Sequence, residues 1–557
     1  MTTVSRRSFI GSAFAAGAAA SGVTIRPAHA ETPIVAPAPI GVQTGQRITA
    51  EDARFQALRT GNNQRFLSTP DYVRMIHTPQ DALLATQEAL DLGKKFTVRS
   101  GGHCFADFVC NPETEVILDM APMRAVGFDE TVGAFYAEPG GMLIDVYERL
   151  YKGWGVTLPA GICYSVGVGG HIVGGGYGLL SRKYGLTVDH LSMVEVVVVD
   201  EHRQAHLVRA SSDPEDPNHD LWWAHTGGGG GNFGVVTRYW FRTPGAEGSD
   251  PGAQLIRPPA EVLVSAVAFD WDQLTETNFT RLIENFSHWH ASNSAPDSPY
   301  TSLSSLFNVS HRATGAMGMF TQVDGDDPNA ATLLAEYMSA LLEGTNIVPR
   351  PMLTPIGELP AMPDYLEGAR LPWLQATKLV GSNNPTITNP TSRGGHKSAY
   401  MKQGFDRRQI AALYKHMSRE DFTNPDTMLV LFSFGGAVNA QAPDATANAQ
   451  RSSIYKMCFQ TFWSDPKDDA FYLGWLRDIY EDVFAATGGV PVPNDQMDGC
   501  YINYPDRDMA DPARNRSGVP WSTLYYKDNY PRLQSVKDRY DPGNVFSHSL
   551  SIRNSST

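Results

Sequence analysis

Thr97-Val98-Arg99-Ser100-Gly101-Gly102-His103 and Gly161-Ile162-Cys163-Tyr164-Ser165-Val166-Gly167-Val168-Gly169-Gly170-His171 are the two stretches that decide how this chain is read. Each surrounds one reactive side chain, an imidazole or a thiol, with glycine. Glycine admits backbone conformations closed to other residues and lets main-chain amides approach a ligand closely. Successive amides arranged in this way form a nest for an anionic group such as a pyrophosphate. A third glycine run, Gly227–Gly231, follows Leu221-Trp222-Trp223-Ala224.

These loops lie in a region, from about 51 to 245, where short strands alternate with helices. Phe96–Arg99, Glu115–Asp119, Ala134–Glu138 and Met193–Asp200 are apolar or alternating runs bounded by Gly, Pro and Asp, and read as strands. Pro79–Leu92 and Ile144–Tyr151 carry the helical period. The dinucleotide fingerprint G-x-G-x-x-G occurs at Gly229, Gly231 and Gly234, but Val235–Trp240 after it has a strand pattern. The fingerprint requires a helix there, so a Rossmann site is excluded. Walker-A and G-x-S-x-G patterns are absent, which leaves P-loop phosphoryl transfer and nucleophile-elbow hydrolysis unsupported.

A second composition begins near 255. Val262–Phe269, Ser302–Val309 and Met428–Phe434 read as long strands, and Thr275–Ala291 and Ala330–Leu342 as long helices, the pattern of an antiparallel sheet faced by helices. After about 505 the chain is loop-rich, then helical around Tyr530–Arg539, and it reads as returning to the first region.

The net charge of −14 argues against a nucleic-acid partner, which needs basic patches. No apolar run approaches the length of about 18 residues needed to span a membrane. Ser5-Arg6-Arg7-Ser8-Phe9-Ile10, a short apolar stretch and Ala28-His29-Ala30 have the form of a cleavable twin-arginine export signal over residues 1–30. The expected address is therefore periplasmic or secreted, with the twin-arginine export machinery as a partner. Five cysteines remain, Cys104, Cys110, Cys163, Cys458 and Cys500; an odd count leaves one free or otherwise engaged. A Cys104–Cys110 pair and reduced buried thiols are both open readings.

The two glycine stretches resemble the flavin-attachment segments of berberine-bridge-enzyme-like oxidases. Leu221–Ala224 leading into Gly227–Gly231 resembles that family's third flavin segment, and Tyr501-Ile502-Asn503-Tyr504-Pro505-Asp506 and Tyr540-Asp541-Pro542-Gly543-Asn544-Val545-Phe546 resemble its C-terminal signatures. Five motifs in order, across about 70–555, are far more specific than any one of them. The resemblance implies an α+β fold of the vanillyl-alcohol-oxidase type: a two-lobed FAD-binding domain with an α+β cap over the isoalloxazine. On that basis residues 31–50 are an extended lead-in, 51–250 the FAD-binding domain, 251–505 the cap, and 506–557 the return to the FAD-binding domain.

The resemblance further implies FAD bonded twice, to His103 at the 8α-methyl and to Cys163 at position 6. A neutral imidazole and a thiolate are both competent nucleophiles. Cys104-Phe105 departs from the Ser-Tyr or Ser-Phe expected after the histidine. Flavin contacts are expected from Arg99, Ser100, Gly101 and Gly102 in the first segment. The second contributes Gly161, Gly167, Gly169, Gly170 and His171, followed by Gly174, Gly175, Tyr177 and Gly178. The third adds Gly230, Gly231, Asn232, Gly234 and Val236, and the C-terminal signature adds Asn544.

Oxidation of an alcohol by flavin needs a base for the hydroxyl proton. The family pattern puts it on Tyr504, assisted by Tyr501. A free phenol has a pKa of about 10, so a nearby cation or hydrogen-bond donors must favour the phenolate. Val166 matches the position over the oxygen-reacting face, where valine tends to admit oxygen. No metal site is expected: His288 and His290 point to different faces of a helix and read as solvated, and Asp213–Asp220 lacks the spacing of a calcium loop. Lys397-Ser398-Ala399-Tyr400 matches a cap stretch with no role assigned. The leading reading is a secreted oxidase acting on an alcohol or hemiacetal of an oligosaccharide or polycyclic natural product, and releasing hydrogen peroxide. The alternatives are a dehydrogenase with a quinone-like acceptor and a flavin-carrying binding protein.

Overall fold

A computed structural model describes residues 45–384, 386 and 389–556. The expected export signal and the lead-in as far as residue 44 lie outside these residues. Within the remainder of the lead-in, Arg47–Ile48 forms a strand paired with Tyr72–Met75, so the first domain begins earlier than its composition suggests.

The described strands form three sheets. In the first, Phe96–Arg99, Val116–Asp119 and Tyr72–Met75 run parallel. The crossover helix Pro79–Asp91 starts where Thr78 accepts from the Asp81 amide at 3.0 Å and proline occupies the first turn. It buries Ala82, Ala85, Ala89 and Leu90. A capping oxygen, a proline with no amide to satisfy and apolar residues one turn apart are sufficient cause for this helix.

The second sheet is antiparallel, in the order Val126–Asp129, Ala134–Ala137, Val235–Phe241, Leu191–Val199 and Ala205–Ser211. Val235–Phe241 directly follows the Gly227–Gly234 run as a central strand, the conformation that ruled out a Rossmann turn.

The third sheet supplies the cap. Glu261–Asp270, Ala316–Asp324, Leu303–Ser310, Thr427–Ser433, Tyr455–Trp463 and Arg393–Met401 are consecutive antiparallel neighbours, with short strands Arg350–Pro351 and Ala369–Pro372 on Glu261–Asp270. Helices Glu276–Ser292 and Ala330–Leu342 bury apolar faces in the same core. His290 belongs to that core: it is fully buried, with its ring against the Phe286 carbonyl oxygen and Ser433 Oγ at 2.9 Å each. Only His288 is solvated, so the expected exposure of both histidines fails at His290, which lies on the apolar side of the helix.

Strand register decides what the cap presents. Leu306 faces Phe432, Phe432 faces Lys456, and Met428 faces Gln460 across their ladders. Side chains alternate faces along a strand, so Lys456, Gln460 and Phe462 share one side of Tyr455–Trp463. That side lines the cavity described next.

The C-terminal segment closes on the glycine run. Lys537 Nζ donates to the carbonyl oxygens of Asn232 and Phe546 and pairs with Asp541, and the Ile552 amide donates to Asn232 Oδ1.

Candidate active site

One large cavity, about 310 Å³, lies among the described residues, with walls from all three glycine segments, the cap sheet, the Tyr501–Pro505 loop and Phe546–His548. It gathers most of the residues expected from sequence: Ser100, Gly101, Gly102, His103, Gly161, Cys163, Val166, Gly167, Gly169, Gly170, His171, Tyr177, Gly230, Gly231, Asn232, Gly234, Val236, Tyr501 and Tyr504.

Five expected residues are elsewhere. Arg99 is buried beneath the wall, paired with Asp119 and donating to the carbonyl oxygens of Leu58 and Thr60. Gly174, Gly175 and Gly178 are pressed against Asn503, Asn448 and the Ala160 carbonyl, which occupy the space a side chain would need. Asn544 holds φ +48 in the turn after the last helix, its amide donating to the Asp541 carbonyl.

The glycine segments pack on each other. A Cβ on Gly101 would run into the Gly167 backbone, and one on Gly167 into Gly101 and Ser100. This contact brings the segments carrying His103 and Cys163 to one wall. Gly231, at φ +73, is a backbone state that side chains rarely adopt.

His103 Nε2 lies 2.7 Å from Asn62 Nδ2 and 2.9 Å from Ser165 Oγ, and burial lowers its pKa to about 4. It is therefore a neutral imidazole. His171, lowered to about 3 by burial, accepts from the Gly161 amide at 3.0 Å and so orients the loop before Cys163. The Cys163 thiol is pushed up to about 12 by burial, with Asn384 Nδ2 3.7 Å from its sulfur. Cys104 and Cys110 are not bonded to each other, and all five cysteines are free.

Tyr504, Tyr501 and Tyr177 converge on a lysine that sequence reading missed. Lys456 Nζ lies 4.1 Å from the Tyr177 ring centre, 4.3 Å from Tyr501 and 4.6 Å from Tyr504, and it makes no ion pair among the described residues. Burial pulls it down to about 7, while Glu358 and the aromatic faces favour its charged form. Burial raises the Tyr504 phenol well above its ordinary value, and Tyr501 to about 12. Among the described residues, Lys456 is the only lysine or arginine and Glu358 the only carboxylate on the wall. Glu358 follows Gly357 in a tight turn closed by mutual hydrogen bonds of Ile356 and Leu359. Its carboxyl is raised by burial, beside Gln460 and Asn384. A signal for Lys456 existed in sequence: a lysine in the apolar strand Tyr455–Trp463 is costly to bury without a use.

The loop carrying Tyr504 is fastened by the stretch that had no assigned role. Ser398 Oγ accepts from the Tyr501 amide at 3.0 Å and donates to the Tyr504 carbonyl at 3.4 Å. Lys397, 3% exposed, pairs with Asp506 at 2.6 Å and Asp508 at 2.7 Å, and Arg477 holds Asp508 from the other side.

The wall fits FAD. The wall offers backbone amides of glycine loops that could receive a pyrophosphate in place of cationic side chains, apolar residues such as Phe96, Val98 and Phe546, and a neutral histidine and a thiol. Three sheets and this site define a flavoprotein of the vanillyl-alcohol-oxidase type.

Known proteins agree. Residues 70–204 match the FAD binding domain family and residues 500–553 the berberine and berberine like family. The chain is 45% identical over 555 residues to an aclacinomycin-N/aclacinomycin-A oxidase of Streptomyces galilaeus, covering 98% of each. It is 32% identical to a hexose oxidase of Chondrus crispus, covering 90% of this chain and 93% of that one. Among solved structures it resembles a glycopeptide hexose oxidase complexed with teicoplanin, with a TM-score of 0.85 and 44% identity, covering 91% of this chain and 99% of that one. The chain belongs to the berberine-bridge-enzyme-like FAD-linked oxidoreductases, and it is an enzyme of that class.

Proposed function

We propose that this enzyme is an exported oxidase carrying FAD bonded to both His103 and Cys163, which oxidises an alcohol or hemiacetal on a bulky sugar-bearing or polycyclic substrate with dioxygen as acceptor. The observation that carries the reading is the convergence of Tyr504, Tyr501 and Tyr177 on Lys456, in one cavity with His103 and Cys163. Bound FAD supplies the hydride acceptor. Tyr504 takes the hydroxyl proton, and Lys456, in its protonated form, lowers the cost of its phenolate. Tyr501, its hydroxyl accepting from Asn503 Nδ2 at 3.1 Å, packs edge-on to Tyr504 and fixes its ring. The wall formed by Leu306, Phe432 and Phe462 gives an apolar substrate body a surface to lie on.

Neutral His103 and the Cys163 sulfur are the nucleophiles for attachment. The names of the relatives, an aclacinomycin oxidase and hexose oxidases, support a sugar or glycosylated substrate. Export rests on Ser5–Ile10 and Ala28–Ala30.

The test is a peroxide-coupled screen against hexoses, oligosaccharides and glycosylated polyketides, with a dye acceptor in parallel. Peroxide formed in step with substrate loss is the expected result. Turnover with dye alone would overturn the acceptor, and no turnover on any member would overturn the substrate class. Protein precipitated in acid should stay yellow; release of free FAD would remove the covalent attachment.

A further inference from the structure

We infer that Asn384 is a positioning residue for flavin attachment: its side-chain amide donates to the Cys163 sulfur and holds that sulfur as the nucleophile. The inference rests on the bicovalent reading above and deepens it.

Three observations carry it. The orientation of the Asn384 amide is fixed by chemistry, because its Oδ1 accepts from the Thr386 backbone amide at 2.9 Å and from Thr386 Oγ1 at 2.7 Å. A backbone N–H can only donate, so the oxygen must face Thr386, and the Nδ2 hydrogens are left for Cys163 at 3.7 Å and for the neighbouring Glu358 carboxyl. Asn384 is also held in place relative to the cysteine. It lies just beyond the helix Trp373–Ser382, and the Tyr164 amide donates to the Gly381 carbonyl at 3.2 Å. A side chain on Gly381 would collide with the Ile162 carbonyl and the Tyr164 ring, so glycine lets this helix end close on both neighbours of Cys163. Finally, the thiol needs help. Burial disfavours its ionised form, Glu358 adds to that effect, and Asn384 is the one contributor acting the other way. A hydrogen bond donated to a charged form favours it, and the thiolate is the nucleophile.

Attachment forms the Sγ–C6 bond and breaks the S–H bond and the C6–H bond of the flavin ring. The two electrons and two protons released pass to dioxygen, giving hydrogen peroxide. Asn384 takes no part in the redox balance; it biases the first proton loss.

The experiment uses the full chain, produced under riboflavin limitation and then supplied with FAD in air. Samples are quenched in acid at intervals and digested, and the peptides bearing His103 and Cys163 are followed by mass. Asn384→Asp keeps the shape and the oxygen for Thr386 but replaces the donor with a carboxylate oxygen; Asn384→Leu removes the donor without adding charge. In both, attachment at Cys163 should slow about tenfold at pH 7, and its rate-against-pH curve should move up by about one unit, the equivalence of a unit shift with a tenfold change. Attachment at His103 should keep its wild-type rate. Wild-type kinetics at Cys163 in both variants would overturn the inference. Loss at both His103 and Cys163 would also overturn it, marking Asn384 as merely structural. A wild-type protein that gains no mass on the Cys163 peptide would instead overturn the bicovalent reading, and the inference with it.

Discussion

Burial holds the Tyr504 phenol well above its usual pKa, and Lys456 is the one lysine or arginine among the described residues of the same wall. Tyr504→Phe should keep the flavin and slow its reduction by substrate on the order of 10²–10⁴-fold, as measured by stopped flow. Lys456→Met should slow the same step and move its pH dependence. A base must be deprotonated to act, so the rate rises with pH. Removing a nearby cation raises the phenol further and should carry the ascending limb to higher pH. Val166 lies on the cavity wall, its carbonyl accepting from the Leu143 amide and its own amide donating to the Cys163 carbonyl. Its side chain is one methylene smaller than leucine, so reoxidation of the reduced enzyme by air should slow clearly in Val166→Leu.

Two elements from distant parts of the sequence hold Tyr504: the strand Arg393–Met401 and the loop Tyr501–Asp508. Lys397 on the first is buried between two carboxylates of the second. Lys397→Met leaves Asp508 with Arg477 and Asp506 with no ion pair among the described residues, and breaking a buried pair from one side costs roughly 3–5 kcal/mol. A lower melting temperature is therefore expected, together with slower flavin reduction as the Tyr504 loop loosens; scanning calorimetry and stopped flow test the two parts. At this scale sequence reading succeeded where a pattern is local. The helix Pro79–Asp91 and the strands Phe96–Arg99 and Val235–Phe241 are explained by caps and apolar periods within themselves. It did not separate Arg99, Gly174, Gly175 and Gly178, which lie off the cavity wall, from the residues that line it, because a glycine or arginine beside a motif looks the same whether it faces the cavity or protein. Only the neighbours Asn503, Asn448, Ala160 and Asp119, all distant in sequence, distinguish the two cases.

For the whole molecule, the proposed export of a flavin-loaded protein has a direct check. Replacing Arg6 and Arg7 by lysine should leave yellow holoprotein in the cytoplasm, as shown by fractionation and flavin fluorescence. Normal export of that variant would withdraw the targeting assignment. The described chain brings parts from Phe96 to His548 onto one cavity, which is why no single segment contains the site.

The amino-acid sequence alone determined the flavin family, the two candidate attachment residues, the tyrosine pair and the antiparallel character of the cap, because glycine loops, motif order and side-chain period are properties of contiguous residues. Tertiary structure decided which of those residues reach the cavity, and it brought in Lys456, Glu358 and Asn384. Strand register turns Lys456 toward the tyrosines, a two-residue turn presents Glu358, and a helix end docked by Gly381 carries Asn384 to the sulfur. Register, turn placement and docking are relations between segments far apart in the chain, and burial, which sets the charge of each group, exists only once they have met.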